Sequence, residues 1–491
     1  MDFNVVIGPV ARFVLPAKLQ NIHVNAWAGA RLIADNNKHH RAKQMAGLAA
    51  GIGSSDSRRA GLTCSFADGG VVNAIREEPK RSAETRIDGL TREEMRMKVS
   101  TSLAQRSSIV AALLAATAIF AAPAANAAGP IVIGASVSET GALAVDAGYH
   151  LRGLELGVAE ANAHGGWLGR KLELKYYDDK SEPGTAVRLY TRLITEDKVD
   201  LVIGPYSSGI TQAVAPLANK YQHVMIDPGA SLPDIFVQGN LWNIQGIATS
   251  TGYLEGMLPL AKSHGAKNVA VLALQSAYSL ACGKARQEQA DKLGMPVVYN
   301  TTYALPQPDF SSIALAIKNS NPDVVVACSY YPDAVGLTQA LQRVGFAPKF
   351  LAETIGPAEA QFNSAIGPLA NRVISNTTWW PSLKTKGNAE FIAAYKAKYH
   401  EDPDYHSAAT YSAIETLGAA VEATKSLDQT KLRDWLMKNS VATVQGTFKA
   451  GPNGIGTQFK QYMFQIQDNG RKLIWPADLA EAKPQIPYTA H

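Results

Sequence analysis

Leu201-Val202-Ile203-Gly204-Pro205-Tyr206-Ser207-Ser208-Gly209-Ile210-Thr211 runs from an apolar triplet through a Gly-Pro turn into a helix that begins near Ser208. An apolar strand that stops at a turn and feeds a helix is the repeating unit of a parallel sheet covered by helices, because both strand faces are buried. The start of such a helix offers unpaired backbone N–H groups, and Ser207 or Ser208 adds a hydroxyl, so the loop suits an anion such as a carboxylate. Taken alone, either serine does no more than cap the helix. A second loop, Ile226-Asp227-Pro228-Gly229-Ala230-Ser231-Leu232-Pro233, leaves the next strand with the same grammar and directs Ser231 to the same anion. Further strand ends carry Gln275-Ser276-Ala277-Tyr278, Cys328-Ser329-Tyr330-Tyr331-Pro332 and Leu351-Ala352-Glu353-Thr354. Rings at successive strand ends suit a lid that stacks on a ligand.

From Pro130 onward, short β-rich runs alternate with longer amphipathic stretches. The runs are 131–133, 172–176, 201–203, 224–226, 269–272, 297–299, 324–327 and 373–374. Between them, residues 149–162 place Leu151, Leu154, Val158 and Ala161 on one stripe at helical spacing, and His164-Gly165-Gly166 stops it. The pattern restarts near residues 253–268, which predicts an α/β fold of two Rossmann-like lobes. Ligands bind beyond the carboxyl ends of parallel strands, so two facing lobes make a cleft lined by the loops just quoted.

The chain has 491 residues and a formal charge of +5, yet residues 1–127 hold 16 Lys/Arg against 10 Asp/Glu, leaving the rest at −1. A near-neutral body excludes binding to phosphate backbones, which needs a concentrated basic face. Lys98 and Arg106 flank Ile109–Ala122, a run of 14 apolar or small residues broken only by Thr117, and Ala125-Asn126-Ala127 follows Pro123. That is the pattern of a secretory signal at 97–127, too short to span a bilayer, with cleavage expected after Ala127 and a periplasmic destination. A signal works at an amino terminus, so residues 1–96 are expected to be an upstream extension from a start placed too early, without a fold of their own. Of three cysteines, Cys64 lies in that front; Cys282 and Cys328 are expected to be two buried free thiols rather than a bridge.

The stretch Gly134 to Gly166, Tyr177-Asp178-Asp179, the loop Gly204 to Thr211, Pro228-Gly229-Ala230-Ser231, Tyr330-Tyr331-Pro332 and Asp402-Pro403-Asp404-Tyr405-His406 together resemble the leucine/isoleucine/valine-binding family of periplasmic proteins. The resemblance covers nearly all of the chain after the signal. It implies the type I periplasmic binding fold: lobe one from 128–247 plus 379–458, lobe two from 248–378 plus 459–491, and three hinge crossovers near residues 248, 378 and 458. It also implies that Ser208 and Ser231 hold a ligand carboxylate, that the Gly229 carbonyl accepts from an ammonium, and that Tyr278 and Tyr330 contact the ligand from the other lobe. The family's acidic ammonium partner falls at Thr354, with Glu353 one residue away. A family aromatic falls at His406 beside Tyr405, a family tyrosine falls near Asp146, and the family's disulfide positions match Ser181 and Ser207. Tyr206, Ser207, Tyr405 and Asp146 are secondary site candidates.

The function implied is an exported solute-binding protein serving an ABC permease and ATPase, a monomer without cofactor or metal. If Glu353 or Asp146 reaches the cleft, the cargo is an amino acid, of the branched-chain type. If neither does, Tyr278, Tyr330, Tyr405 and His406 suit an aromatic or hydroxy acid. His406 reads equally as an interlobe structural histidine. A sensor that presents its ligand to a receptor is the alternative role. No Gly-x-Ser-x-Gly elbow, His-Glu-x-x-His, Cys-x-x-Cys or Walker loop occurs, so the chain is not expected to be an enzyme.

Overall fold

Largely apolar strands with both faces covered form the middle of the first sheet. β1 (Ile131–Val137), β2 (Leu172–Asp178), β3 (Leu201–Ile203), β4 (Met225–Asp227) and β5 (Asn243–Gln245) lie in the order β2-β1-β3-β4-β5, all parallel. Helices α1 (Ala144–Ala163), α2 (Pro183–Thr195) and α3 (Ser208–Tyr221) connect them, and the single turn α4 (Asp234–Val237) precedes β5. β5 was not expected, because Asn-Ile-Gln does not read as a buried strand. The side chains explain it: Asn243 Nδ2 donates to the Ala215 carbonyl at 3.0 Å and Gln245 Nε2 to the Ala230 carbonyl at 3.4 Å, so both amides are buried with partners.

After β5 and α5 (Met257–Ser263) a second sheet begins. β6 (Val269–Leu274), β7 (Val297–Tyr303), β8 (Val324–Cys328), β9 (Phe350–Glu353) and β10 (Ile374–Thr377) are parallel neighbours in the order β10-β9-β8-β6-β7, with α6 (Ala277–Leu293), α7 (Ser311–Ser320), α8 (Tyr331–Arg343) and α9 (Ala360–Ile366) between them. The chain then returns to the first lobe through α10 (Asn388–Tyr399), α11 (Tyr405–Thr424), α12 (Gln429–Lys438) and the hairpin of β11 (Ser440–Thr443) and β12 (Gly446–Lys449). It crosses once more to add β13 (Tyr462–Gln467) and β14 (Gly470–Trp475), antiparallel, to the edge beyond β10. α11 lies so close on α1 that a Cβ at Gly153 would meet Thr410 Oγ1 at 1.9 Å, and Thr410 Oγ1 donates to the His150 carbonyl at 2.9 Å. Two α/β lobes with three crossings between them are therefore the architecture.

The computed structural model describes residues 129–489 except Gln238, Asn240, Leu305 and Pro308, and the short antiparallel ladder of Val5–Val6 on Arg12–Phe13. The ladder belongs to one unit, Met1–Ala112, and the two lobes to another, Leu113–His491. The signal at 97–127, its cleavage point and Cys64 lie outside the described residues. Among the described residues no helix is long and apolar enough to cross a membrane.

The cysteine expectation is corrected. Cys282 and Cys328 form a disulfide, with Cα atoms 6.1 Å apart. The second turn of α6 lies directly over the end of β8, as the bond from Ser279 Oγ to the Cys328 carbonyl shows, and this stacking brings the two sulfurs together.

Candidate functional site

The two loops that leave β3 and β4 form the floor of the interlobe cleft. Ser208 Oγ accepts from the Ser231 N–H at 3.0 Å and the Leu232 N–H at 3.2 Å, tying one loop to the other. Gly229 makes this contact possible, since a Cβ there would lie 2.9 Å from the Pro205 carbonyl oxygen and 3.0 Å from the Tyr206 Cα. The floor thus combines a helix start, two serine hydroxyls and close backbone, the features that bind carboxylate oxygens.

Lobe two closes over this floor with rings. Tyr278, at the start of α6, and Tyr330, which caps α8, have centroids 4.7 Å apart. Tyr330 meets Tyr206 of lobe one at 6.0 Å, and Tyr206 meets His406 edge-on at 5.1 Å. Tyr330 is set by Asp333, whose Oδ1 accepts the Tyr330 N–H at 2.9 Å and whose Oδ2 accepts from Tyr303 at 2.5 Å. Tyr206, Ser207, Ser208, Gly229, Ser231, Tyr278, Tyr330, Tyr405 and His406 all border one cavity of about 10 Å³, the size of a single water site. The two lobes meet at this cavity, which holds no more than a water as it stands.

Thr354 and Glu353 part company. Thr354 Oγ1 accepts from the Ser329 N–H at 2.7 Å and lies 3.3 Å from the Tyr278 hydroxyl, so it braces the lid. Glu353, one residue earlier on β9, faces the opposite side of the sheet. It accepts from Thr338 of α8 at 3.0 Å, is fully buried, does not border the cavity, and burial holds its carboxyl well above the usual range. The structure thus removes Glu353 from the ligand-binding set.

Asp146 takes a different position. It lies in the first turn of α1, one turn before His150, and these two residues share a helix face. The His150 ring meets Tyr206 at 6.2 Å, and its Cε1 is 3.2 Å from where a Gly229 Cβ would be, so this face looks at the floor. Burial first, and then the His406 charge, lower the His150 pKa to about 3 and keep it neutral. Asp146 is fully buried, and neither carboxylate oxygen has a hydrogen-bond partner among the described residues. Burial first, and then the Glu359 charge, push its pKa well up.

A further buried group joins the lobes at the cleft edge. His406 Nδ1 lies 2.8 Å from Asp404 Oδ2 and 3.1 Å from Glu359 Oε1, with Asp404 and His406 at the start of α11 and Glu359 in lobe two. Burial opposes the imidazolium, but the two carboxylates overcome it and raise His406 to about 10. Asp404 is held below the usual range despite burial, by His406 and by the Ser407 cap, while burial and Asp404 lift Glu359 to about 7. These are also the three side chains, among the described residues, whose donor atoms are grouped closely enough to hold a metal ion. With a proton on Nδ1 between the carboxylates, the trio is an ion pair across the lobes. His406 therefore both borders the cavity and links the lobes, joining the two readings of it.

Sequence reasoning missed Ile247, Tyr253 and Ile355, which border the cavity, and His150 beneath it. Tyr253 sits in the first crossover, where its hydroxyl reaches Ser231. The signal available was its place in that connection, since hinge segments necessarily border the cleft.

A family model described as periplasmic binding protein matches residues 130–471. An amino acid binding protein of Pseudomonas aeruginosa is 26% identical over 344 residues, covering 70% of this chain and 91% of that protein. The Leu/Ile/Val-binding protein of Escherichia coli is 26% identical over 323 residues, covering 65% of this chain and 86% of that protein. A solute binding protein of an ABC transporter from Rhodopseudomonas palustris, solved in complex with benzoate, shares the fold at a TM-score of 0.63 and 21% identity, covering 70% of this chain and 96% of that chain. The resemblance drawn from the loops is thereby upheld.

Proposed function

Because the chain belongs to the periplasmic binding protein family, we propose that it is the exported substrate-binding component of an ABC importer, capturing a small carboxylate-bearing solute by closure of its lobes. The observation that carries this reading is the meeting of Ser208, Gly229 and Ser231 at a helix start with the Tyr278 and Tyr330 rings of the other lobe. The first part supplies polar partners for a carboxylate and the second excludes water from it. An amino acid of the branched-chain type is the first candidate, in keeping with the names of the two relatives. The periplasm is the place of action, after cleavage at Ala127, and the protein works as a monomer. A permease and ATPase complex receives the loaded form.

A solute that binds the folded state raises its melting temperature. A thermal-shift screen of amino acids, aromatic acids and hydroxy acids against the purified protein is expected to yield a stabilising carboxylate. Ser208→Ala should weaken every such ligand by about 10-fold or more, as loss of a hydrogen bond to a charged group does. An unchanged melting temperature with every carboxylate, together with tight binding of a neutral sugar, would overturn the reading. The benzoate complex of a protein of the same fold keeps aromatic acids in that screen.

A further inference from the structure

A second cavity, of about 370 Å³, opens where the lobes meet the second crossover, and its size is that of a small-molecule site. It shares Tyr405 with the cavity at the serine floor but none of Ser208, Gly229, Ser231, Tyr278 and Tyr330. Its walls come from every part of that junction: Tyr149 and Tyr405 from lobe one, Trp379 from the crossover, and Phe464 and Arg471 from the edge of lobe two. The chain itself sets Arg471 there. Gln467-Asp468-Asn469-Gly470 turns β13 into β14 with left-handed φ at Asp468 (51°) and Asn469 (63°), the two-residue turn that fixes a hairpin register. That register pairs Arg471 with Ile466, so Phe464 is its diagonal neighbour on the same face. The guanidinium carbon accordingly lies 5.8 Å from the Phe464 ring centre.

Arg471 is half-buried, and its guanidinium makes no hydrogen bond or ion pair among the described residues. The acids around it are engaged elsewhere: Asp402 with Lys396 at 2.6 Å, Asp404 with His406 at 2.8 Å, and Glu359 with the same imidazole at 3.1 Å. Burial lowers the Arg471 pKa, although Glu359 and Asp404 favour its charge through space. The polar ends of the surrounding rings are taken up as well. Trp379 Nε1 donates to Asn388 at 2.7 Å and the Tyr149 hydroxyl to Gln361 at 2.8 Å, so both residues turn ring surface rather than donors to the cavity. A planar fork of five donors without an acceptor, set among four rings, matches a flat anion.

We propose that this cavity is a second ligand site, for an aromatic carboxylate whose oxygens take the Arg471 guanidinium and whose ring packs against Phe464 and Trp379. It is separate from the solute site at Ser208 and does not depend on it. An occupant touches both lobes and the crossover between them, and so favours the interlobe angle at which all three meet.

Benzoate is the probe, titrated calorimetrically into the purified protein beside benzyl alcohol, which keeps the ring and lacks the carboxylate. Benzoate is expected to bind the wild type, and benzyl alcohol to bind about 10-fold or more weakly, the effect of a hydrogen bond to a charged group. Arg471→Gln should weaken benzoate by about 10- to 100-fold, as loss of a bidentate charge-assisted contact does, and leave benzyl alcohol unchanged. Arg471→Lys keeps the charge and loses the fork, so it should weaken benzoate too, and it gives the same readout should the glutamine variant fold poorly. The binding that depends on Arg471 should persist in Ser208→Ala. Benzoate binding lost in Ser208→Ala and intact in Arg471→Gln would overturn the proposal and put the aromatic acid at the serine floor. A wild type that takes up no benzoate at millimolar concentration would overturn it as well, and would leave the reading of the Ser208 site standing for other carboxylates.

Discussion

Asp333 shows how one buried acid sets a tyrosine of the cleft. It holds the Tyr330 N–H and the Tyr303 hydroxyl, and burial, only partly offset by those two bonds, raises its pKa from 3.8 to about 7. The folded state therefore binds more protons than the unfolded state between those values, and folding stability falls as pH rises through that window. Below it the contribution is fully present. Asn resembles the protonated form, so Asp333→Asn should gain on the wild type steadily from about pH 4 to about pH 7. Urea unfolding of the two proteins across that range checks it, and a constant difference between them would show that Asp333 ionises freely. His406 shifts in the same direction for a different reason: against burial, Asp404 and Glu359 raise its pKa to about 10, so its pairing with Asp404 holds at neutral pH and the stability it contributes is lost as pH rises through that value.

At the scale of elements, the disulfide is the informative link. It fastens α6, which carries Tyr278 in its first turn, to the end of β8, two residues before Tyr330, so both rings of the lid hang on one covalent tie. Replacing both cysteines by alanine should lower stability by about 2–4 kcal/mol. It should also weaken ligand binding more than Ile317→Val, a control change in the same lobe away from the cleft, when the two are compared by thermal unfolding and calorimetry. The central strands β1, β3, β6 and β8 were legible because a strand buried on both faces is close to continuously apolar. β5 escaped because its polar side chains find their partners on residues distant in sequence, Ala215 and Ala230. The site divided the same way. Ser208, Gly229, Ser231, Tyr278 and Tyr330 stand at strand ends and were readable from local grammar, whereas the choice between Glu353 and Thr354 turned on which face of β9 each occupies. Asp146 was visible only as a departure from a pattern, since its surroundings depend on what α1 faces. The cysteine expectation failed because the stacking of α6 on β8 is a tertiary fact.

For the molecule as a whole, the proposed closure would turn at the crossovers. In the second of them, Trp379 bonds Asn388 at 2.7 Å and meets Phe391 edge-on at 5.8 Å, both on α10 of lobe one. Its neighbour Trp380 stacks on Phe464 of β13 at 5.7 Å and donates to Glu481 at 2.8 Å, on the side of lobe two. Adjacent indoles are thus anchored to opposite lobes, and rotation at the crossover must change the surroundings of at least one. Ligand addition is expected to shift the tryptophan emission, and Trp380→Phe should alter that shift while changing affinity by less than about 3-fold. An unaltered shift in Trp380→Phe would place the reporting ring elsewhere. Contacts that cross the closed cleft, Tyr149 to Gln361 at 2.8 Å and His406 to Glu359, are the ones that opening must break.

The tie between Cys282 and Cys328 also gives the protein a sense of place. Thiols stay reduced in the cytosol and are oxidised beyond the inner membrane, so a newly made chain carries its two lid tyrosines on elements that are not yet joined. On the export proposed above, the two elements are joined only after the chain has left the cytosol. Protein purified from a reducing cytosol and left reduced should accordingly hold its solute more loosely than the same chain after oxidation, and air alone should restore it.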